Sequence, residues 1–268
     1  MPEYLTPDQM LALTQEAPAA NPEPEKKRWL VVIPIFTHVL PAAFYNFLCI
    51  FLRAGADVKQ HSFVLMNAER QILHMCMNKA VEIVLAQDYA GLIAFDDDCL
   101  PPAFVLDRLL AHTAAGREFI AGMGFMRNHP HTTTVGKHYP EGMTYQADTN
   151  TFSAFYWLDA LPTKERGVME ADFCGLPVAI WTKSALQKCE QPVFGTVGKD
   201  GGEMTHDVFM CRRLRAAGIP VLVDTSIECG HIAPAPIVNS LTRTGAREAV
   251  RLINETAKHA REIEAAPV

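Results

Sequence analysis

The sequence predicts an α/β fold in which one mostly parallel central sheet is flanked by helices. Two observations carry that expectation. Continuous apolar runs rich in β-branched or aliphatic residues, WLVVIPIF at 29–36 and GLIAF at 91–95, alternate with helical segments, and three aspartates follow directly on the second run. A strand covered by helices on both faces reads as an unbroken apolar run, because neither face meets water. With 268 residues, 49% of them hydrophobic and 20% charged, the chain has material for one sizeable core with short extensions.

Residues 1–27 contain APAANPEPE, a proline- and glutamate-rich tract too polar to order itself, and are expected to be a flexible extension. The folded domain is expected over 28–240, with a C-terminal helix in 241–268. Within it, 29–36 reads as a buried strand, 42–54 as a helix stopped by Gly55, 61–66 as a strand and 69–87 as a helix. After the strand at 91–95, Pro101-Pro102 opens a helix to about 115, and 119–123 is a further strand. This alternation of strand and helix is what predicts the parallel sheet. The second half is less regular, with an aromatic and Thr-rich stretch at 143–158, a strand at 177–181 and a Gly-rich loop at 195–202. A helix at 205–217, a strand at 219–224 and an amphipathic helix at 246–263 complete the pattern.

A net charge of −6 leaves no electrostatic footprint for general nucleic-acid or anionic-membrane binding. The longest apolar stretch, 41–52, is too short to span a bilayer, and MPEYLTPDQ has neither a basic nor an apolar leader segment, so a cytoplasmic protein without membrane insertion is expected. Seven cysteines, an odd number without a C-x-x-C pair, read as buried free thiols of a reducing compartment. Gly198-Lys199 lacks the spacing of a phosphate-binding Walker loop, and neither a Gly-x-Ser-x-Gly elbow nor a dinucleotide fingerprint is present.

The chemistry concentrates in Asp96-Asp97-Asp98. Three adjacent carboxylates repel one another unless they are solvated or neutralised by a cation. In open α/β sheets, ligands gather outside the carboxyl ends of the strands, which is where this cluster falls. A hard divalent cation, Mg²⁺ or Mn²⁺, takes one or two such carboxylates and fills its shell from water and substrate phosphate. The structural alternative is a solvated turn in which Asp98 caps the helix that begins after Pro101-Pro102. His129, His131 and His138 read as a polar loop.

Several segments resemble the GT-A glycosyltransferases, in particular their large inverting family. MNKAVEIVLAQDYAGLIAFDDDCLPP is similar to that family's helix, strand and Asp-x-Asp block, and GMGFMRNHP to its Gly-x-x-x-Arg-x-x-Pro segment. EADFCGLPVAIWTKSAL resembles its acceptor-side strand and helix. PVF and EMTHDVFMCRRLRAAGIPVLVDTSIECGHI resemble its Pro-x-Phe, Glu-Asp helix and terminal Gly-His. The likeness runs in order over about residues 29–232. It departs at Met77, where an arginine is common, at Gly175-Leu176-Pro177 in place of Gly-x-Gly, and at His206, where a glutamate precedes the helix aspartate.

The resemblance implies a GT-A, Rossmann-like fold and a metal-dependent transferase. It would move a sugar from a nucleotide-sugar donor to an acceptor hydroxyl by direct displacement with inversion. Asp96, Asp98 and His231 would hold the Mn²⁺ or Mg²⁺. Pro34, Phe36, Thr37, His38, Asn78, Asp96, Asp97, Arg127 and Lys199 would contact the donor, and the Gly-rich loop that carries Lys199 reads either as a lid over the phosphates or as an ordinary surface loop. Asp207 would be the general base, its plain alternative being a helix-start carboxylate. Asp172, Cys174, Gly175, Trp181 and His206 would line the acceptor side. The rival readings are a nucleotidyltransferase and a non-catalytic nucleotide- or carbohydrate-binding protein on the same fold.

Overall fold

The computed structural model describes residues 26–35, 41–57, 60–66, 68, 71–126, 132–138, 144–146, 151–153, 155–158, 166–196 and 204–232. The first half alternates as expected: β1 (Lys27–Val32), α1 (Pro41–Asp57), β2 (His61–Met66), α2 (Leu73–Ala86), β3 (Gly91–Phe95), β4 (Cys99–Leu100), α3 (Val105–Ala114) and β5 (Phe119–Met123). Then come the short strands β6 (Val135–His138), β7 (Thr144–Gln146), β8 (Thr151–Ser153), β9 (Phe155–Trp157), β10 (Val168–Ala171) and β11 (Phe173–Cys174). The described chain closes with β12 (Val178–Thr182), α4 (Lys183–Lys188), α5 (His206–Ala216), β13 (Val221–Glu228) and β14 (Gly230–His231).

Seven strands form the central sheet in the order β10-β13-β5-β12-β3-β1-β2. β1 pairs in parallel with β2 and β3, and β13 in parallel with β5. β12 runs antiparallel to both β3 and β5, so β2, β1, β3, β5 and β13 all point the same way, against β12 and β10. The fold is therefore α/β with a mostly parallel sheet. Alternate residues of each strand enter opposite cores. Trp29, Val31, Ile93, Phe95, Ile120 and Ile180 pack with α1 and α3 through Phe47, Ile50, Val105 and Leu109. Leu30, Val32, Leu92, Ala94, Phe119 and Trp181 pack with α2, α4 and α5 through Ala80, Val84, Leu186 and Leu214. Helices on both faces are what make the strand sequences continuously apolar.

Boundaries move where local chemistry outweighs periodicity. β1 ends at Val32, because Pro34 has no N–H to continue the ladder. α2 starts at Leu73, with Ile72 still extended. α4 is started by Thr182, whose Oγ1 accepts from the Ala185 N–H at 3.2 Å. α5 is followed by Gly218 at φ +73°, a left-handed position that a side chain would strain. Of the seven free cysteines, Cys49 is exposed, which corrects the expectation that all are buried. No helix among the described residues is long and apolar enough to cross a membrane. Residues 1–25 of the extension expected at 1–27, most of the Gly-rich loop and the helix expected at 246–263 lie outside the described residues, and Lys27 already opens β1.

Candidate functional site

Because β1, β3, β5 and β13 are parallel, their carboxyl ends share one edge of the sheet, and antiparallel β12 brings its start to the same edge. The Asp96 N–H donates to the Pro177 carbonyl at 3.1 Å, and the Cys99 N–H donates back to the Asp96 carbonyl at 3.3 Å. The chain thus turns sharply after β3 and enters β4. This corrects the capping alternative for Asp98: α3 begins later, with Phe104 at its N-cap.

β4 pairs antiparallel with β14, setting His231 opposite Cys99 and Gly230 opposite Leu100. The Ile232 N–H donates to the Asp98 carbonyl at 2.8 Å. β13 reaches this position by an irregularity. Asp224 is registered with Gly122 and Glu228 with Met123, so three residues of β13 are accommodated where β5 has none. A bulged strand bends and re-aims the residues beyond the bulge. Here the redirected segment carries His231 across the edge to Asp98. Glu228 is held by Arg166 at 2.5 Å.

His231 Nε2 lies 3.4 Å from Asp98 Oδ1, and its Nδ1 lies 2.7 Å from the Phe125 carbonyl. A carbonyl only accepts, so Nδ1 carries the proton and Nε2 presents its lone pair toward the carboxylate. Two acceptors facing each other call for a cation between them or a second proton on the ring. A carbonyl fixing the far nitrogen is also the usual support of a metal-bound imidazole. With bonds of about 2.1 Å, ligand atoms on neighbouring metal positions stand about 3.0–3.4 Å apart, so the observed spacing suits a shared ion.

Asp98, Cys99 and His231 offer ligand atoms within 4.8 Å of one another. The Cys99 thiol is held well above its ordinary range by burial and by the nearby Asp96, Cys229 and Asp97. The carboxylate and the imidazole of the group suit Mn²⁺ or Mg²⁺, whereas a thiolate donor favours softer metals. Asp96 and Asp97 are half-buried in the same turn, and the expected Asp96 is not part of this three-residue group.

Other expected site residues fall differently. Pro34 lies just past β1 on the same edge, while Phe36, Thr37, His38, Arg127 and Lys199 lie outside the described residues. The Asn78 carboxamide is engaged at both ends by the Phe194 backbone, donating to its carbonyl at 2.8 Å and accepting from its N–H at 3.0 Å. It clamps the segment after α4. Asp207 opens α5, its Oδ1 accepting from the Val208 N–H at 2.8 Å. α5 packs on β11, where the Cys174 N–H donates to Cys211 Sγ at 3.4 Å, two residues before Leu176-Pro177. His206 is kept neutral mainly by burial, with His74 adding to that effect against the opposing pull of Asp207.

Three of the residues expected on the acceptor side are buried. Trp181 is fully buried near the far end of β12, tilted against Phe119 and edge-on to Phe194, with its indole N–H 3.4 Å from Met210 Sδ. The Cys174 backbone N–H donates to Cys211 Sγ, so that residue is spent on packing between β11 and α5. Gly175 is buried against Thr134, where an added Cβ would come within 2.8 Å of the Thr134 side chain. An acceptor strand that looks functional in sequence is thus largely core. Asp172 pairs with Arg215 at 3.2 Å and with His138, at the border of an open hollow that Arg212 also lines.

Sequence reasoning missed Cys99, the Phe125 carbonyl and Asp224. The last is fully buried and accepts from Arg108 Nε and His112 Nε2, each at 2.7 Å, and from the Ser226 N–H and hydroxyl. A charged residue inside an apolar strand, VLVDTSIE, was the available signal.

No protein-family model matches the chain, and none of the curated proteins compared with it matches in sequence. Similar solved structures include A197 from STIV, at 18% identity over 77% of this chain and 86% of that one, with a TM-score of 0.49. Others are a putative glucose-1-phosphate thymidylyltransferase from Bacillus anthracis (8%, 76% and 89%, 0.42) and the inositol-1-phosphate CTP transferase from T. maritima (11%, 83% and 95%, 0.41). These values are too low for the likeness to bear on activity.

Proposed function

We propose that the chain is a metal-dependent transferase of the GT-A type that takes a sugar from a nucleotide-sugar donor to an acceptor hydroxyl. The observation that carries this reading is the Asp98–His231 pair at the carboxyl edge of the sheet, with the imidazole lone pair turned toward the carboxylate by Phe125. A divalent cation bound there supplies positive charge for the departing diphosphate. Asp98 and His231 hold its position, and Asp96 and Asp97 keep the surrounding field negative enough to attract it. Asp207 accepts the proton of the acceptor hydroxyl as that oxygen bonds to the anomeric carbon and the bond to the diphosphate breaks, inverting the centre. Asp172 and His206 contact the acceptor side, and Pro34 the nucleotide.

The test is calorimetric titration of nucleoside diphosphates and nucleotide-sugars with and without Mn²⁺, followed by product analysis. Selective, Mn²⁺-dependent binding and release of a nucleoside diphosphate support the reading, whereas release of pyrophosphate overturns it in favour of nucleotidyl transfer. Asp207→Asn should lower transfer by about 10²–10⁴-fold while donor affinity persists. Transfer near the parent rate removes Asp207 as the base, and loss of folding returns it to its helix-start role.

A further inference from the structure

The central sheet ends in two unlike edges. β10 is four residues long and carries the exposed Glu170, a charge of the kind that keeps an edge from pairing with another chain. β2 is six residues long, pairs with β1 in unbroken register, and holds neither proline nor Asp, Glu, Lys or Arg in its sequence HSFVLM. Among the described residues no strand pairs with its outer side. A long, flat, uncharged edge is a template for another strand.

The flank of α1 that looks toward this edge is apolar as well. Phe51 of α1 meets Phe63 of β2 edge-on, and Phe44 and Leu48 share its side of the helix by their spacing from it. They are 54% and 43% exposed, and Leu65, on the same face of β2 as Phe63, is 63% exposed. The opposite flank of α1 is closed, with Asn46 donating to the Pro101 carbonyl at 3.0 Å and Arg53 lying 3.5 Å from Asp107 of α3. The exposed apolar side chains therefore overhang the open edge.

A second copy of the chain fits this surface. An open edge takes up a strand, and a two-fold axis sets β2 antiparallel to its own copy and α1 beside α1. At a net charge of −6, two copies approach best through a face without carboxylates, and neither β2 nor α1 from Pro41 to Leu52 holds one. Phe51 touches both Phe95 of β3 and Phe63 of β2, so α1 lies over β1. At about 4.8 Å per strand, two such helices stand about 14 Å apart across the axis, a gap that Phe44 and Leu48 fill from both sides.

We propose that two copies associate through β2, so that their seven-stranded sheets continue into one another, with Phe44, Leu48 and Leu65 of each copy against the other. Full-length protein at micromolar concentration should sediment at twice the mass of one chain. Leu65→Lys puts a charge on the edge without disturbing a buried side chain and should weaken the dimer at least about 100-fold. Phe44→Lys, which leaves β2 untouched, should weaken it too, and Val168→Lys on the other edge should change it by no more than about twofold. Hydrogen exchange supplies the second readout: β2 amides should be protected in the parent and lose that protection in Leu65→Lys, while those of the central strand β3 stay protected in both. A parent that remains a monomer overturns the proposal and leaves the face to a different partner. A dimer that survives Leu65→Lys or Phe44→Lys, that is lost in Val168→Lys, or whose β2 amides exchange as in Leu65→Lys overturns it as well.

Discussion

Asp224 and His112 lie 2.7 Å apart inside the wall between α3 and the sheet, whereas Asp98 and His231 lie 3.4 Å apart at the sheet's carboxyl edge. The residue types are the same, and the partner on the far ring nitrogen separates them. His112 Nδ1 faces Arg117 Nη1 at 3.0 Å, and a guanidinium only donates. Nδ1 therefore accepts, Nε2 keeps the proton, and that proton goes to Asp224. With Arg108 and Ser226 also donating, the carboxylate is satisfied by protein alone. His231 has the opposite tautomer imposed by a carbonyl, so the nitrogen it turns to Asp98 is an acceptor and not a donor. One pair is a structural lock, and the other is the site proposed for the metal.

Breaking the lock has the largest expected effect. Asp224→Ala leaves Arg108 and His112 without their buried partner and should cost about 3–5 kcal/mol, read from the midpoint of urea unfolding. Asp98→Asn should do the reverse, reducing Mn²⁺ affinity by about 100-fold or more while stability changes by no more than about 0.5 kcal/mol. Equal losses of stability in the two variants would erase the distinction drawn between the pairs.

Acid offers a subtler test. Burial pushes the Asp224 carboxyl up, but hydrogen bonds from Ser226, His112 and Arg108 outweigh it and hold the group at about 2. A depressed folded pKa contributes stability above the unfolded value of about 3.9, and that contribution is lost as pH falls toward about 2. Some 2 kcal/mol, about the size of that shift, should therefore disappear in this window in the parent and not in Asp224→Asn. Smallest of all, Ser226→Ala removes one of the donors to Asp224 and should cost about 1 kcal/mol. The bulge keeps its backbone bond from the Ser226 N–H, so Mn²⁺ affinity should stay within about twofold. A larger drop in affinity would show that the hydroxyl itself steers β14.

The fold was legible because its signal is local. WLVV, GLIAF and FIAGM are strands for the same reason they are apolar, and Asp96 to Asp98 stand at a strand end that parallel topology turns into a shared edge. The short pairing of β4 with β14 was not legible, since two-residue strands have no periodicity to read. For Trp181 and Cys174 the sequence left both a core and an acceptor role open, because an aromatic or a thiol in an apolar strand has the same signature in a core and in a pocket, and both are buried.

Sequence alone determined the layered α/β plan, the placement of the carboxylate cluster and the apolar repeat at 246–263, each a matter of neighbouring residues and their spacing. Tertiary structure decided which carboxylate meets which imidazole. That choice rests on a bulge in β13 and on the partners of two ring nitrogens, Phe125 and Arg117. The Phe125 contact is made by a backbone carbonyl more than a hundred positions from its histidine, so nothing in the side-chain sequence announces it.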